Sequence, residues 1–305
     1  MKLKKTKMMV LVVLLMASLF ISCDSNATKP EPITTATVTI NLISNHSVAG
    51  VTVVLENNNG NPNNVYTRTA ANNTVNFVDI PFGYYAIKIT HVNYRDYFYG
   101  DLAVQSSAIS HQANLFHTNL SAGDIITFGA YEWRVLDIED GRALVVSRNI
   151  IESRAYHTSY VSITWADSSL RAYLNGEFYN SFSASDRARI IQVTNVNENN
   201  QWYGTNGGAD TQDKIFLLSI AEVVKYFGDS GQLANRPLGA SAIFDEYNQN
   251  RIATFNGTIS WWWLRSPGSY SGSASGVSGV GSVSLYGYAV SNHSGVVRPA
   301  LWLNL

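Results

Sequence analysis

The sequence predicts a multidomain chain in which an N-terminal all-β sandwich is followed by an α+β domain. Short segments of alternating apolar and polar residues, separated by turns rich in Asn, Gly and Pro, fill residues 36–118, and this pattern is typical of a β-sandwich. After residue 120, strand patterns and helix-capping sequences alternate without a regular βαβ repeat, which favours an α+β arrangement. Aromatic and β-branched segments begin and end residues 261–305, and they predict buried strands.

The first 35 residues predict export and attachment to a lipid. Four lysines precede an apolar run from Met8 to Phe20, and Ser22 and Cys23 follow it. This order is typical of a secretory signal peptide, and the run is shorter than the ~20 apolar residues of a comfortable membrane-spanning helix. A cysteine after a small residue resembles a bacterial lipoprotein signal, which implies cleavage before Cys23 and its acylation; ordinary secretion is the alternative.

We therefore expect a signal peptide over residues 1–22 and an extended tether over residues 23–35. The tether contains two prolines and lacks hydrophobic periodicity, which is typical of a linker. The expected location is the cell envelope, with the protein lipid-anchored in the outer membrane and exposed at the surface.

Four strands of the sandwich are predicted by period-two alternation or by β-branched runs. They cover Thr37–Leu42, Val51–Leu55, Thr74–Val78 and Tyr85–Ile89. The segment Val75–Tyr85, with its Pro-Phe-Gly turn, resembles small transthyretin-like sandwiches of the carboxypeptidase-regulatory type. That resemblance implies a spacer domain without catalysis over residues 36–118.

The second domain, residues 120–305, is predicted to begin with strands and continue with capped helices. Residues 131–138 and 143–147 predict a hairpin around Asp140-Gly141, a pair typical of tight turns. Apolar spacing predicts a helix over Trp165–Leu174, capped by Asp167 or Ser168. Capping sequences predict two further helices after Ser183 and Ser219, with an apolar strand over Ile215–Leu218 before the second.

The stretch Ser269–Ser294 predicts a recognition surface. It consists almost entirely of Ser, Gly, Tyr, Val, Asn and His, which is too polar and too small to build a core. Antibody paratopes use a similar mixture, because tyrosine supplies contact area at low entropic cost. The predicted ligand-binding residues are Tyr270, Ser271, Ser273, Ser275, Ser278, Ser282, Ser284, Tyr286, Tyr288, Ser291, Asn292 and His293.

The composition argues against several function classes. The net charge is −1, from 21 basic and 22 acidic side chains, and no basic stripe is visible, so no nucleic-acid partner is expected. Cys23 is the single cysteine, which leaves the mature domains without a thiol for catalysis. Neither an H-E-x-x-H sequence nor an EF-hand loop occurs, so neither a metal nor a cofactor is expected. The segment Asn206–Asp213 is an alternative calcium loop.

Catalytic residues are not predicted either. His157 and His293 lie near serines and tyrosines, but no nucleophile elbow accompanies them. Asp245 and Glu246 are adjacent carboxylates, and adjacent side chains usually point apart. Arg265 and Arg298 stand in apolar surroundings and are interpreted as structural, with an anion clamp as the alternative. The chain is therefore not expected to be an enzyme.

Several phrases of the second domain together resemble a bacterial domain family of unknown function. They include Trp262-Trp263-Leu264-Arg265-Ser266-Pro267-Gly268 and Val297-Arg298-Pro299-Ala300-Leu301-Trp302. That family resembles the C-type-lectin fold in its formylglycine-generating-enzyme-like form, which implies ligand-binding residues on a C-terminal surface. In some relatives a diversity-generating retroelement varies that surface through adenine-rich codons. The Ser, Tyr, Asn and His residues of Ser269–Ser294 are types that such codons yield, and a fixed Ser/Gly-rich loop explains them equally well.

Together these observations predict a lipid-anchored binding protein of the cell surface, whose partner is a protein or glycan on another cell or on a host. An envelope carbohydrate-active hydrolase is the first alternative, because the many aromatic residues could stack on sugars. A passive adhesion scaffold is the second.

Overall fold

The computed structural model describes residues 34–44, 46–59 and 64–305. The predicted signal peptide, Cys23 and most of the tether lie outside these residues. Among the helices that the structure describes, none has the length and apolar character needed to span a membrane.

The N-terminal part consists of two facing sheets. Its strands are β1 Thr35–Ile43, β2 Thr52–Asn57, β3 Val65–Thr69, β4 Thr74–Pro81, β5 Gly83–His91, β6 Tyr94–Val104 and β7 Ala108–Asn114. One sheet has the order β4-β1-β7 and the other β3-β2-β5-β6, and β1 and β7 are parallel. The four strands predicted from the sequence are confirmed, and β3, β6 and β7 are additional.

A single apolar cluster fills this sandwich because its strands alternate inward and outward. Val38, Ile40 and Leu42 of β1 are completely buried, while the residues between them are not. They meet Leu55 and Ile87 of the opposite sheet in one cluster. Burial of each such side chain contributes about 1.5–3 kcal/mol.

The C-terminal part carries short strands and helices around a second apolar cluster. In chain order these are β8 Ile125–Phe128, β9 Tyr131–Glu139, β10 Arg142–Ser147, β11 Glu152–Ser153, α1 Ser169–Tyr173 with the π-helical turn Leu174–Phe178, α2 Ala184–Arg189, β12 Ile190–Ile191, β13 Val193–Asn195, β14 Thr211–Asp213, α3 Ile220–Phe227, β15 Ala242–Ile243, α4 Asn248–Arg251, β16 Ala253–Phe255, β17 Thr258–Ser260, β18 Trp262–Pro267, β19 Ser273–Val277, β20 Val283–Ala289, β21 Val296–Val297 and β22 Ala300–Asn304.

Two antiparallel sheets dominate this part, one ordered β12-β22-β10-β9-β8 and the other β15-β20-β19-β18. Its helices are short, so the described chain is β-rich and has two apolar cores. The α+β description overstated the helical content.

Local turn and cap signals were predicted accurately. Asp140 and Gly141 both have positive φ, which is the backbone that a tight two-residue hairpin requires. Ser168, and not Asp167, caps α1 by accepting a hydrogen bond from the Arg171 amide. Ser219 caps α3 in a complete capping box, and Ser183 caps α2.

The predicted strand Ile215–Leu218 is wrong. These residues are buried, but one isolated bridge at Phe216 is their β-pairing in the described structure. Side chains occupy the backbone groups that a ladder would need: the Asn175 amide donates to Ile215 O, and the Arg265 guanidinium donates to Leu217 O. Arg265 also pairs with the carboxylate of Glu222, which confirms its predicted structural role.

The prediction that Ser269–Ser294 lacks a core is also wrong. This stretch supplies β19 and β20, and every residue of β19 is buried. Small side chains are what permit this burial. A Cβ at Gly276 would lie 2.9 Å from the carbonyl oxygen of Trp262 and 3.1 Å from the Tyr288 ring. The composition is therefore one that lets backbone and tryptophan layers approach closely.

Residues 34–305 form one compact unit, and polar contacts join the sandwich to the second cluster. The Asn114 amide donates to the Asp186 carboxylate at 3.1 Å, and the Arg189 guanidinium donates to Asn114 O at 3.0 Å. Arg189 also lies 4.1 Å from the centre of the Phe116 ring.

We expect His111, which lies at this junction, to lower the stability of the fold in mild acid. Burial lowers its pKa below 6.5, although nearby Asp186 acts to raise it. The unfolded chain therefore binds a proton at His111 more readily than the folded chain. The contribution of neutral His111 to the free energy of unfolding is complete above about pH 6.5 and is lost as the pH falls through the folded pKa. We expect the urea midpoint of the wild type to decrease more between pH ~7.5 and ~5 than that of His111→Gln. Equal decreases would refute the assignment.

Candidate functional site

Four tyrosines from separate segments meet at one end of the β15-β20-β19-β18 sheet. We call Tyr160, Tyr203, Tyr270 and Tyr286 the tyrosine surface. Three of them are well exposed: Tyr160 at 60%, Tyr270 at 41% and Tyr286 at 53%. Exposed apolar rings that lie side by side, rather than singly, are typical of interaction sites.

The rings form two neighbouring pairs, Tyr160 with Tyr270 and Tyr203 with Tyr286. A hydrogen bond with Tyr160, and then burial, raise the pKa of Tyr270. The ring of Tyr203 lies edge-on to that of Tyr286, with centroids 6.1 Å apart. The surface offers hydroxyl donors and acceptors together with flat apolar faces.

Backbone and serine contacts fix the segments that carry the tyrosines. The Ser269 amide donates to Tyr286 O at 2.8 Å. The Ile163 amide donates to Ser271 O at 3.0 Å, and the hydroxyls of Ser162 and Ser271 are 2.8 Å apart. Ser271 is exposed beside Tyr270, so this predicted residue belongs to the same surface.

Asn200 is the buried residue that joins the loop of Tyr203 to the sheet. Its side-chain oxygen accepts from the amides of Trp202 and Tyr203. Its amide nitrogen lies 2.8 Å from Pro267 O and 2.9 Å from Leu285 O. One buried side chain therefore connects three parts of the site and fixes the position of Tyr203 relative to Tyr286.

Arg236 supplies the positive charge at the edge of the surface. Its guanidinium lies 4.6 Å from the centre of the Tyr203 ring and 5.0 Å from that of Trp202. It donates to the Tyr203 hydroxyl at 3.0 Å. Leu238 of the same loop is completely exposed.

Ser273 and Ser275 lie in the interior, which removes them from the predicted contact set. Ser273 Oγ donates to Tyr270 O at 2.8 Å, and Ser275 Oγ donates to Pro267 O at 2.8 Å. Both are buried because β19 is a central strand. They support the backbone beneath the tyrosine surface.

Other predicted contact residues lie elsewhere. Ser278 and Ser282 bond to each other in the β19–β20 turn, at the opposite end of the strands. Ser284 is partly buried and accepts from the Gly287 amide. Successive side chains of a strand point to opposite faces of the sheet, and the two ends of a strand lie far apart. The composition alone therefore did not separate the serines near the tyrosine surface from those elsewhere.

The last predicted residues form two further positions. Tyr288 is partly buried, and its ring lies 4.3 Å from that of Trp261, on a separate aromatic pair. Ser291, Asn292 and exposed His293 belong to the turn before β21, where Asn292 Oδ1 accepts from the Ser294 amide. We find that the tyrosine surface contains three of the twelve predicted residues, namely Tyr270, Ser271 and Tyr286.

The loop proposed for calcium uses its carboxylates internally. Asp213 is fully buried and accepts from the Trp165 indole at 2.9 Å and from Arg171 at 2.6 Å. Asp210 accepts from the Asn197 amide at 3.1 Å. Among the described residues no cluster of three His, Cys, Asp or Glu side chains has the arrangement of a metal site.

The adjacent carboxylates Asp245 and Glu246 do not form an acid–base pair. Asp245 is buried against Arg251, with Oδ1 2.7 Å from the guanidinium. Burial acts to raise its pKa, but hydrogen bonds from Arg251 and Ser230 lower it overall. Glu246 is exposed. The hydrolase alternative therefore gains no support from this pair.

Sequence reasoning missed Tyr160, Asn200 and Arg236. Tyr203 and Trp202 are aromatic residues in the polar segment between β13 and β14, but nothing in the sequence places that segment against Tyr286. The available signal was a set of aromatic residues within otherwise polar segments. Contact between segments more than 80 positions apart, as between Tyr203 and Tyr286, needs the fold.

Fold and site together define a β-rich domain that presents aromatic rings at one end of a four-stranded sheet. The chain belongs to the family described as "Domain of unknown function (DUF6273)", whose model matches residues 140–305. No curated protein matches the chain.

Among solved structures, one similar chain comes from Bacteroides uniformis and is described as a "putative carbohydrate binding protein". It shares 7% identity with a TM-score of 0.24, and the match covers 37% of this chain. The match spans 52%, about half, of that chain.

Proposed function

We propose that this chain is a lipid-anchored binding protein of the bacterial cell surface that recognises a protein or glycan ligand through the tyrosine surface. The observation that carries the proposal is that Tyr160, Tyr270 and Tyr286 are exposed on three segments and that the rings of Tyr160 and Tyr270 lie beside the same residue, Gly272. Buried hydrogen bonds from Asn200 hold their supports in place, so binding would cost little ordering entropy.

The chemistry of the surface favours an uncharged partner that is rich in hydroxyl groups or that has apolar faces able to stack on aromatic rings. The rings provide flat apolar area, and the hydroxyls of the tyrosines and Ser271 can both donate and accept. Arg236 adds a positive charge at the edge. The sequence supports export and acylation at Cys23, which would hold this surface outside the cell.

The C-type-lectin-like fold and a retroelement-varied surface are parts of the same proposal, and their support is the sequence resemblance. If variation occurs, the exposed positions Tyr270, Ser271 and Tyr286 can accept it at low cost in stability. Buried Ser273 and Ser275 cannot, because each donates to a backbone carbonyl within the core.

The test is ligand capture with the full chain. Wild type and a Tyr270→Ser/Tyr286→Ser double variant are incubated with bacterial and host surface extracts and with a glycan array. Tyr84→Ser is the matched control, since Tyr84 is an exposed tyrosine of the sandwich. We expect a ligand retained by wild type and Tyr84→Ser and weakened at least tenfold in the double variant, because central aromatic contacts contribute about 2 kcal/mol or more.

Equal retention by all three proteins would contradict the proposed site. Capture of nothing by wild type would favour the passive scaffold. Both exposed rings lie outside the core, so we expect the double variant to unfold at nearly the wild-type denaturant concentration.

A further inference from the structure

A cavity of the C-terminal part is lined by arginines and amides, and it shares no lining residue with the tyrosine surface. Its volume is about 410 Å³. The polar lining includes Arg134 of β9, Arg148 and Asn149 after β10, Asn250 of α4, and Arg298. Its eleven lining residues include three arginines and no Asp or Glu.

Arg298 is the buried cation of this cavity. It is 3% exposed, and its guanidinium donates to the carbonyl oxygens of Ser147, Arg251 and Arg148. A guanidinium carries five N–H donors, so these three bonds leave two N–H groups for another acceptor. None of the ion pairs in the described residues includes Arg298.

Arg134 adds a second cation without a carboxylate partner. Its guanidinium lies 5.4 Å from the centre of the Phe227 ring, and that of Arg298 lies 5.5 Å from the same centre. Arg134 likewise belongs to none of the ion pairs between described residues. Burial, and then the charge of Arg134, lower the pKa of Arg298. The two cations therefore repel each other across one ring.

The remaining wall can donate hydrogen bonds and is partly accessible. Arg148 is neutralised in part by Glu132, at 2.9 Å, on the exposed side. Asn149 and Asn250 are exposed at the rim, and the side-chain amide of Asn250 donates to Phe227 O at 3.0 Å. An acceptor entering between these groups would gain charge-assisted hydrogen bonds and would relieve the repulsion between Arg134 and Arg298.

We propose that this cavity binds a small oxyanion, namely a carboxylate, sulfate or phosphate group, through Arg134 and Arg298. The planar forks of two guanidinium groups match the oxygens of such groups. The anion is the counter-ion that this buried cation lacks within the described chain. This site is independent of the tyrosine surface, so it can be present or absent whatever the ligand of that surface is.

Calorimetric titration of the full chain tests the site at constant ionic strength in sodium chloride. The probes are sodium sulfate, sodium phosphate and sodium glucuronate, and glucose is the uncharged counterpart of glucuronate. We expect saturable binding of at least one anion and none of glucose. The rank order among the three tells which oxyanion the cavity prefers.

Two variants change the site without removing Arg298, whose loss could unfold the core. Arg134→Gln is expected to weaken binding about tenfold, the loss typical of a charge-assisted hydrogen bond. Asn149→Asp places a carboxylate at the rim, keeps the acceptor of the Thr254 hydroxyl, and should also reduce binding. Arg68→Gln, an equal charge change on β3 of the sandwich, should leave affinity unchanged. Absence of saturable binding of all three anions, or equal affinity in Arg134→Gln and Arg68→Gln, would overturn the proposal.

Discussion

Asp213→Ala is expected to destabilise the protein by about 3–5 kcal/mol, because the substitution removes the buried partner of an ion pair. The carboxylate is fully buried and pairs with Arg171 at 2.6 Å. It also accepts from Trp165 at 2.9 Å, Asn195 at 3.0 Å and Thr211 at 2.7 Å. Without it, four side chains lose this acceptor, and those of Trp165, Asn195 and Thr211 are buried.

Urea unfolding of Asp213→Ala and Asp210→Ala measures this effect. Asp210 is in the same loop but exposed, and it accepts from the Asn197 amide. We expect a change of about 1 kcal/mol or less for Asp210→Ala, as for a single exposed hydrogen bond. Similar midpoints for the two variants would show that the network around Asp213 does not hold the fold.

Asn200→Ala is expected to cost about 2–4 kcal/mol and to release the loop of Tyr203 from the sheet. The Leu285 carbonyl loses the Asn200 donor, the Pro267 carbonyl keeps only the Ser275 hydroxyl, and the amides of Trp202 and Tyr203 lose their acceptor. Each buried group left without a partner costs about 1–3 kcal/mol, and water can reach some of them once the loop moves.

Two measurements separate a local from a global effect of Asn200→Ala. Denaturant unfolding gives the stability change, and amide hydrogen exchange should become faster at Trp202 and Tyr203. The control is Asn206→Ala, since Asn206 is a loop asparagine whose oxygen accepts from the Gly208 amide. Unchanged exchange at Trp202 and Tyr203 would contradict the role assigned to Asn200.

Features set by near neighbours were predictable from the sequence. The Asp140-Gly141 turn and the caps Ser168 and Ser219 depend on a few adjacent residues, and the structure contains all of them. The alternation in β1 likewise reports which side chains face the core. In each case the signal and the structure lie within one turn or one strand.

Features set by distant neighbours were not predictable. The buried strand β19 has a polar composition. Its small residues are required because the neighbouring backbone of Trp262 approaches Gly276 closely, and a sequence pattern does not show that approach. Ile215–Leu218 has the composition of a buried strand. Its carbonyls accept hydrogen bonds from the side chains of Asn175 and Arg265, and the sequence does not show these distant contacts.

The candidate site was predictable in kind more than in position. Tyr270 and Tyr286 of the C-terminal stretch are exposed, and their role in ligand binding stays a prediction. The segment of Tyr160 joins it through the backbone hydrogen bond from Ile163 to Ser271, and Tyr203 joins it through the Asn200 side chain and the Tyr286 ring.

The most direct test of the central claim is hydroxyl-radical footprinting of the full chain with and without the captured ligand. We expect the ligand to protect Tyr160, Tyr270 and Tyr286 from oxidation and to leave the oxidation of Tyr84 in the sandwich unchanged. All four are exposed, so each is open to labelling in the free protein. A bound ligand that leaves the first three tyrosines unprotected, or that protects Tyr84 instead, would contradict the account.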